Sequence, residues 1–151
     1  VHPARTSTGT HFNPGELSIA PAIEARIAEL IRVPANHGET LQVLNYKVGE
    51  RYLPHYDYFP PEMAGSKEHL KHGGQRIATL LMYLNDVEAG GETVFPAVGN
   101  MRVLPKKGSV LYFSYFNRYG QVDPVTLHGG EPVVAGEKWV STKWIRQGPY
   151  V

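Results

Sequence analysis

From residue 41 onward the chain is cut repeatedly by glycine and proline, and this punctuation is the strongest constraint on its fold. The β-rich runs left between the breaks cover residues 41–48, 51–59, 76–84, 92–96, 101–104, 109–116, 126–128 and 138–145. Each has the length of a strand, and none reaches the three turns of an average helix. Only residues 21–31 read as a helix. Ile23, Ile27, Leu30 and Ile31 recur at helical spacing, Glu24 and Glu29 fall elsewhere on the cylinder, Pro21 suits the first turn, and Pro34 follows the end. Roughly eight short strands after one helix predict a mainly β fold with a flanking helix: a sandwich or barrel carrying the helix on one outer face.

The chain has 151 residues, 42% hydrophobic and 19% charged, so residues 1–151 fit a single domain with a real core. Fifteen Lys and Arg balance fourteen Asp and Glu. No run of like charge is long enough to track a phosphate backbone, so nucleic acid is not an expected partner. No stretch of about 18 apolar residues exists to cross a membrane, and the N-terminus lacks the order of a signal peptide. The abrupt opening Val1-His-Pro leaves room for an upstream segment, so targeting is not read from it. There is no cysteine. A transition metal would therefore have to be held by histidine, carboxylate and water, and the same absence suits a reducing, cytoplasmic compartment.

Residues 60–75, "PPEMAGSKEHLKHGGQ", form the longest segment without an apolar period, and the Gly73-Gly74 pair leaves its backbone poorly restrained. Two readings stand side by side, a mobile lid over an active site and a plain disordered connector.

The stretch "YLPHYDYF" places His55 and Asp57 one residue apart within a run of aromatics. On a strand, residues i and i+2 point to the same face about 6.5–7 Å apart at Cα, so the two side chains can chelate one divalent ion. An H-x-D triplet is weak by itself, because a surface His–Asp hydrogen bond is the commoner use of such a pair. Among the other histidines, His2, His11, His37, His69 and His72 lie in polar or flexible surroundings and read as solvated or turn-stabilising. His128 differs: it ends the apolar run Val125-Thr-Leu127, precedes Gly129-Gly130, and so stands at a strand terminus where a side chain can face an interior. Two histidines and one carboxylate with open positions suit a non-haem iron(II) oxygenase. They also suit a zinc hydrolase with a bound water, or a non-catalytic binding module that keeps the metal for structure.

Lys138 helps to separate these. In the run "KWVSTKW", Lys138, Val140, Thr142 and Trp144 share one strand face, and Trp139, Ser141, Lys143 and Ile145 share the other. An exposed lysine is the usual case. If Trp144 points inward, however, so does Lys138, and an ammonium turned into a barrel must meet an anion because burying it unpaired costs several kcal/mol. Neither a zinc hydrolase nor a binding module needs such a buried cation.

The order His55-x-Asp57, Arg76-Ile-Ala-Thr-Leu80, Tyr83-Leu-Asn-Asp-Val87, Gly90-Gly-Glu-Thr-Val-Phe-Pro96, Pro105-Lys-Lys-Gly108, His128 and Lys138-Trp-Val-Ser-Thr-Lys-Trp144 closely resembles the catalytic domain of the 2-oxoglutarate- and iron(II)-dependent prolyl 4-hydroxylases. Arg5-Thr-Ser-Thr-Gly-Thr-His-Phe12 resembles the family's RTSxGxF segment, so the likeness covers nearly the whole chain. The compact, cysteine-free form is nearer the bacterial type. The resemblance implies a double-stranded β-helix, or jelly roll, braced outside by the helix of residues 21–31. It implies His55, Asp57 and His128 as iron ligands and Lys138 as the partner of the distal carboxylate of 2-oxoglutarate. Tyr46 would help to hold that carboxylate, Thr93 would line the same pocket and Trp144 would wall it. Tyr58 and Arg76 would face a substrate peptide, Tyr58 stacking on a proline ring and Arg76 reaching a backbone carbonyl.

The implied reaction consumes 2-oxoglutarate and O2 and releases succinate and CO2 while hydroxylating C4 of a proline in a peptide or protein. Free proline or another residue is the alternative substrate. The resemblance also admits ascorbate as a reductant and a homodimeric state.

Overall fold

The helical spacing of residues 21–31 becomes α1 (Ala20–Ile31), with proline in its first turn and Arg32 closing it in the left-handed region at φ 57°. The structure is a computed structural model that describes residues 4–60, 62–63 and 65–150. His2 and two positions of the 60–75 segment lie outside the described residues. Ile27 is buried, and with Ile23 and Ile31 it packs on Ala78, Leu80 and Ile145 of the sheet beneath. Leu30, although in phase with these residues, is 70% exposed and lies off the buried stripe. Glu24 of the helix ion-pairs with Lys143 of the sheet, so the buried ammonium is neutralised where the helix docks.

That sheet has five antiparallel strands in the order β1 (Thr8–Phe12), β2 (Leu41–Tyr46), β11 (Lys138–Arg146), β4 (Arg76–Tyr83) and β8 (Val110–Ser114). A second sheet of four strands runs β3 (Tyr52–His55), β9 (His128–Gly130), β6 (Thr93–Phe95) and β7 (Met101–Val103). A two-stranded ribbon pairs β5 (Ala89–Gly90) with β10 (Val133–Ala135). The two larger sheets meet in one core, where Leu44, Tyr46, Tyr83 and Val140 of the first receive Tyr52 and Val103 of the second, with Val133 beside them. This is the expected jelly roll with a helix outside. β11 lies in the middle of its sheet and is buried along almost its whole length, because one face meets the core and the other the helix.

Several boundaries differ from the expectation. The run over 51–59 pairs only as far as His55, so Asp57 sits on a bend beyond the strand. Thr126 belongs to a 3-10 turn, Pro124–Thr126, and His128 opens β9 where the sequence suggested that it ends a strand. β1 was not expected before the helix. It is a polar edge strand with four of five residues exposed, so it carries no alternating apolar signal. Its Gly9 is required by proximity: a Cβ there would lie 2.3 Å from Leu44 Cδ2 and 2.8 Å from the Val43 carbonyl oxygen.

The described part of residues 60–75 is not a plain disordered connector. It contains a second helix, α2 (Ser66–Leu70). The Gln75 side chain closes the base like a rung of sheet, accepting from Phe59 N–H at 2.8 Å and donating to Phe59 C=O at 2.6 Å. Arg146 donates to the carbonyls of His69 and Gly74, and the His69 ring stacks on Phe59.

Candidate active site

The antiparallel register of β3 and β9 sets His55 opposite His128, which brings their ring centroids to 4.4 Å. Because the chain bends after His55, the carboxylate of Asp57 turns back between the rings. Its Oδ1 lies 3.3 Å from His55 Nε2 and its Oδ2 3.4 Å from His128 Nε2. One ligand atom from each residue falls within 4.8 Å of the others.

The tautomers follow from the backbone. His55 Nδ1 lies 2.8 Å from the carbonyl of Leu53, and His128 Nδ1 lies 2.9 Å from the carbonyl of Thr126. A carbonyl only accepts, so each Nδ1 carries a proton and donates, and Nε2 is the atom each ring turns to the carboxylate. Nε2 lone pairs and a carboxylate in such contact repel one another unless a proton or a cation lies between them. The arrangement therefore fits a divalent cation, and its two imidazoles and one oxygen suit iron, zinc or manganese better than calcium or magnesium. The charges respond in the same sense. Burial would raise the Asp57 pKa, but the facing His128 and His55 hold it well below the usual carboxylate range. Burial would lower the pKa of His128, yet the Asp57 charge beside it outweighs this and raises it.

Asp57 has further partners that the sequence did not announce. Thr79 of β4 donates to Asp57 Oδ2 at 2.6 Å, and the Tyr115 hydroxyl lies 3.3 Å from the same oxygen and in contact with Thr79 Oγ1. Phe113 packs edge-on against His128, and Tyr52 stacks flat on His55 with centroids 3.6 Å apart. The Arg5 guanidinium lies over the other participant in that stack, the Tyr52 ring, at 5.6 Å. The nearest sequence signal for these residues was the run of aromatics around His55, which does not say which ring meets which ligand.

The cluster opens into a pocket between the two sheets whose walls include Tyr46, Thr93, Lys138, Val140, Thr142 and Trp144. The inward face expected for β11 is thus the observed one. Lys138 is only 4% exposed. Its Nζ donates to the Gly91 carbonyl at 2.6 Å and lies over the rings of Tyr46 and Tyr83, and among the described residues it has no carboxylate in ion-pair contact. Burial lowers its pKa to about 8, against the opposing pull of Glu92. Burial pushes the Tyr46 phenol up to about 12, so it remains a hydrogen-bond donor at neutral pH. Thr93 bonds the Tyr83 hydroxyl at 2.7 Å. Trp144, also in the pocket wall, has a buried Nε1–H with no partner among the described residues.

Tyr58 and Arg76 are not part of the pocket wall. The Tyr58 ring leans on the Tyr56 ring, with centroids 4.8 Å apart. Arg76 grips Glu39 with two bonds of 2.6 and 2.8 Å, donates to the backbone carbonyl of Asp57 at 3.1 Å, and lies between the rings of Phe59 and Trp144. Its donors are largely engaged within the protein. Arg146 shares the same Glu39 oxygen at 2.6 Å.

The sequence model of the 2OG-Fe(II) oxygenase superfamily matches residues 41–146, which include every residue of the His–Asp–His cluster and Lys138. Probable prolyl 4-hydroxylase 3 of Arabidopsis thaliana is 46% identical over 164 aligned residues, covering 97% of this chain and 55% of that protein. Prolyl 4-hydroxylase 5 of the same plant is 48% identical, covering 93% of this chain and 53% of its own length. The chain thus spans about half the length of these curated relatives. Among solved structures, the viral collagen prolyl hydroxylase of Paramecium bursaria Chlorella virus-1, in its 2OG complex, superposes with a TM-score of 0.79 at 33% identity, covering 95% of this chain and 80% of that one. A prolyl-4-hydroxylase of Pseudomonas putida, with a TM-score of 0.69 and 21% identity, shares the fold.

Proposed function

The chain belongs to the 2OG-Fe(II) oxygenase superfamily, and from that premise we propose that it is a 2-oxoglutarate- and iron(II)-dependent dioxygenase that hydroxylates proline at C4 in a peptide or protein. The observation that carries this reading is one pocket holding both the His55–Asp57–His128 cluster and the buried ammonium of Lys138, which has no carboxylate in ion-pair contact among the described residues. When bound at that cluster, iron(II) supplies the oxidative chemistry that couples decarboxylation of 2-oxoglutarate by O2 to hydroxylation, with succinate and CO2 as the other products.

The protein's own part is to bind, orient and exclude water. His55 and His128 present Nε2 because their Nδ1 protons are fixed on backbone carbonyls, and Asp57 supplies the single negative charge. Two neutral imidazoles and one carboxylate leave a divalent ion with net positive charge, which favours an anionic co-substrate. Lys138 receives the far carboxylate of that co-substrate, a charge-assisted contact that is strong where water is excluded. Tyr46, still protonated at neutral pH, can donate to the same carboxylate, while Thr93 and Trp144 wall the pocket. The prolyl hydroxylases among the relatives and structural neighbours support proline as the target. The aromatic pair Tyr58 and Tyr56 suits a proline-rich chain, whose polyproline II form presents its rings for stacking. Arg76, bound to Glu39 and to the Asp57 carbonyl, holds the backbone next to that pair more directly than it offers a free donor to a peptide.

The test is succinate release with iron(II), 2-oxoglutarate, O2 and, when needed, ascorbate, across a panel of proline-rich peptides and free proline. Mass analysis of the products follows. Peptide-dependent succinate with one added oxygen on proline is the expected result. Oxygen-independent turnover, or turnover indifferent to 2-oxoglutarate, would point to a hydrolase and sink the proposal.

A further inference from the structure

Asp57 is held unevenly. Among the described residues its Oδ1 lies near one hydrogen-bonding group, His55 Nε2 at 3.3 Å. Its Oδ2 lies near three: Thr79 Oγ1 at 2.6 Å, the Tyr115 hydroxyl at 3.3 Å and His128 Nε2 at 3.4 Å. Thr79 and Tyr115 come from neighbouring parts of the five-stranded sheet, Thr79 on β4 and Tyr115 one residue past the end of β8, so sheet pairing holds both hydroxyls in place. Both residues are essentially inaccessible to water, at 2% and 0% exposure, and neither hydroxyl has another partner among the described residues.

Counting protons sets the direction. A carboxylate only accepts, so Thr79 uses its one proton on Oδ2. Its oxygen can then accept from Tyr115, whose own proton points either there or at Oδ2. Thr79 thus donates to Oδ2 in either case, and Tyr115 either adds a second bond to that oxygen or backs the Thr79 hydroxyl, so lone-pair capacity of Oδ2 is occupied from within the protein.

We propose that Thr79 and Tyr115 are positioning residues that hold Oδ2 of Asp57 and thereby leave Oδ1 as the oxygen this carboxylate offers to a bound divalent ion. The inference rests on the reading of His55, Asp57 and His128 as the metal ligands. Hydrogen bonds of this outer kind orient the ligand group, and their loss typically weakens metal affinity about 10–100-fold. A threonine methyl alone supplies none of this, which separates a hydroxyl role from mere packing.

The experiment uses the full chain, stripped of metal with a chelator, and titrates Mn(II) calorimetrically, with the visible spectrum of the Co(II)-loaded protein as a second readout. Thr79→Val keeps the shape and removes the hydroxyl. It is expected to weaken Mn(II) binding about 10-fold or more and to shift the Co(II) bands. Thr79→Ser restores the hydroxyl and is expected to bind within about threefold of the unmodified chain, a smaller change than loss of an outer hydrogen bond produces. Tyr115→Phe is expected to weaken binding by a smaller factor, because Thr79 still donates to Oδ2. Equal affinity and an unchanged spectrum in Thr79→Val, or a Thr79→Ser protein as weak as Thr79→Val, would overturn the proposal. Should Thr79→Val fail to fold, Tyr115→Phe decides alone: weakened binding upholds the proposal, and affinity and spectrum identical to the unmodified chain reject it. Failure of the unmodified chain to bind Mn(II) at all is a different outcome, and it removes the underlying assignment of the ligands.

Discussion

Lys138 and His128 line one pocket, and substitution should separate the two roles proposed for them. On the proposed assignment, His128→Ala removes one of three ligands, and it leaves the buried Asp57 charge facing a single histidine. Calorimetry with Mn(II) is expected to show no binding in the micromolar range, and the succinate assay no turnover. Full activity in that variant would contradict the ligand assignment. Lys138→Ala leaves the metal ligands untouched. It is expected to raise the KM for 2-oxoglutarate at least 10-fold, in line with loss of a charge-assisted contact worth about 1.5–3 kcal/mol, while metal affinity stays unchanged.

A pH dependence goes with this lysine. Its pKa in the free protein is lowered to about 8 by burial, and only the protonated form attracts a carboxylate. Affinity for 2-oxoglutarate should therefore be full well below pH 8 and weaken as pH rises through it, with binding itself drawing the pKa back up. A titration of KM against pH that stays flat from 7 to 9.5 in the unmodified chain would rule out this use of the ammonium.

At the scale of elements, pairing register decides what the site contains. His55 and His128 are far apart in the chain, and only the β3–β9 register sets one opposite the other. The inward face of β11 was legible from spacing, because period-two alternation survives in a strand whatever its partners; the H-x-D triplet was legible as a chelating pair, although Asp57 reaches His55 from a bend beyond β3 and not along a strand face. The pairing partners were not legible, and neither was the termination of β3 at His55, since neither leaves a local signature. Thr79 was hidden for the same reason: in the run Ile77-Ala-Thr-Leu-Leu81 it reads as an ordinary strand residue, and its role exists only because β4 faces the bend that carries Asp57. The motifs surrounding these residues did reveal the family, which is why the jelly roll could be expected before any strand was paired.

The segment between β3 and β4 shows an element held by a few polar contacts. Glu39 takes two guanidinium groups, the half-buried Arg76 and the buried Arg146, which between them bond the backbone of Asp57, His69 and Gly74. Glu39→Ala would leave the buried Arg146 cation without its ion-pair partner, a change that costs about 3–5 kcal/mol. Urea unfolding is expected to show a loss of that order together with weaker metal binding, since Asp57 loses its support. A variant as stable as the unmodified chain would mean that the two arginines find other partners.

At the scale of the whole molecule, the two sheets are sewn together by the first described residues. Arg5 bridges to Tyr52, Leu53 N–H donates to Ala4 C=O, and a few residues later β1 runs along β2, so a single short stretch touches the edges of both sheets. The helix α1 covers the outer face of the larger sheet, and the membrane question has a limited answer: among the described residues no helix is long and apolar enough to cross a bilayer.

The sewn edge carries a cost if it is lost. β1 presents a polar rim of Thr, Gly, Thr and His to solvent, whereas β2 behind it is rich in leucine and buried. A chain starting at residue 13 would uncover a row of unsatisfied amides and carbonyls beside apolar side chains, a template for intermolecular strand addition. Light scattering should then report larger assemblies from the shortened chain than from the intact one at equal concentration. The polar fringe would thus act as a guard against self-association, placed ahead of the chemistry and outside it.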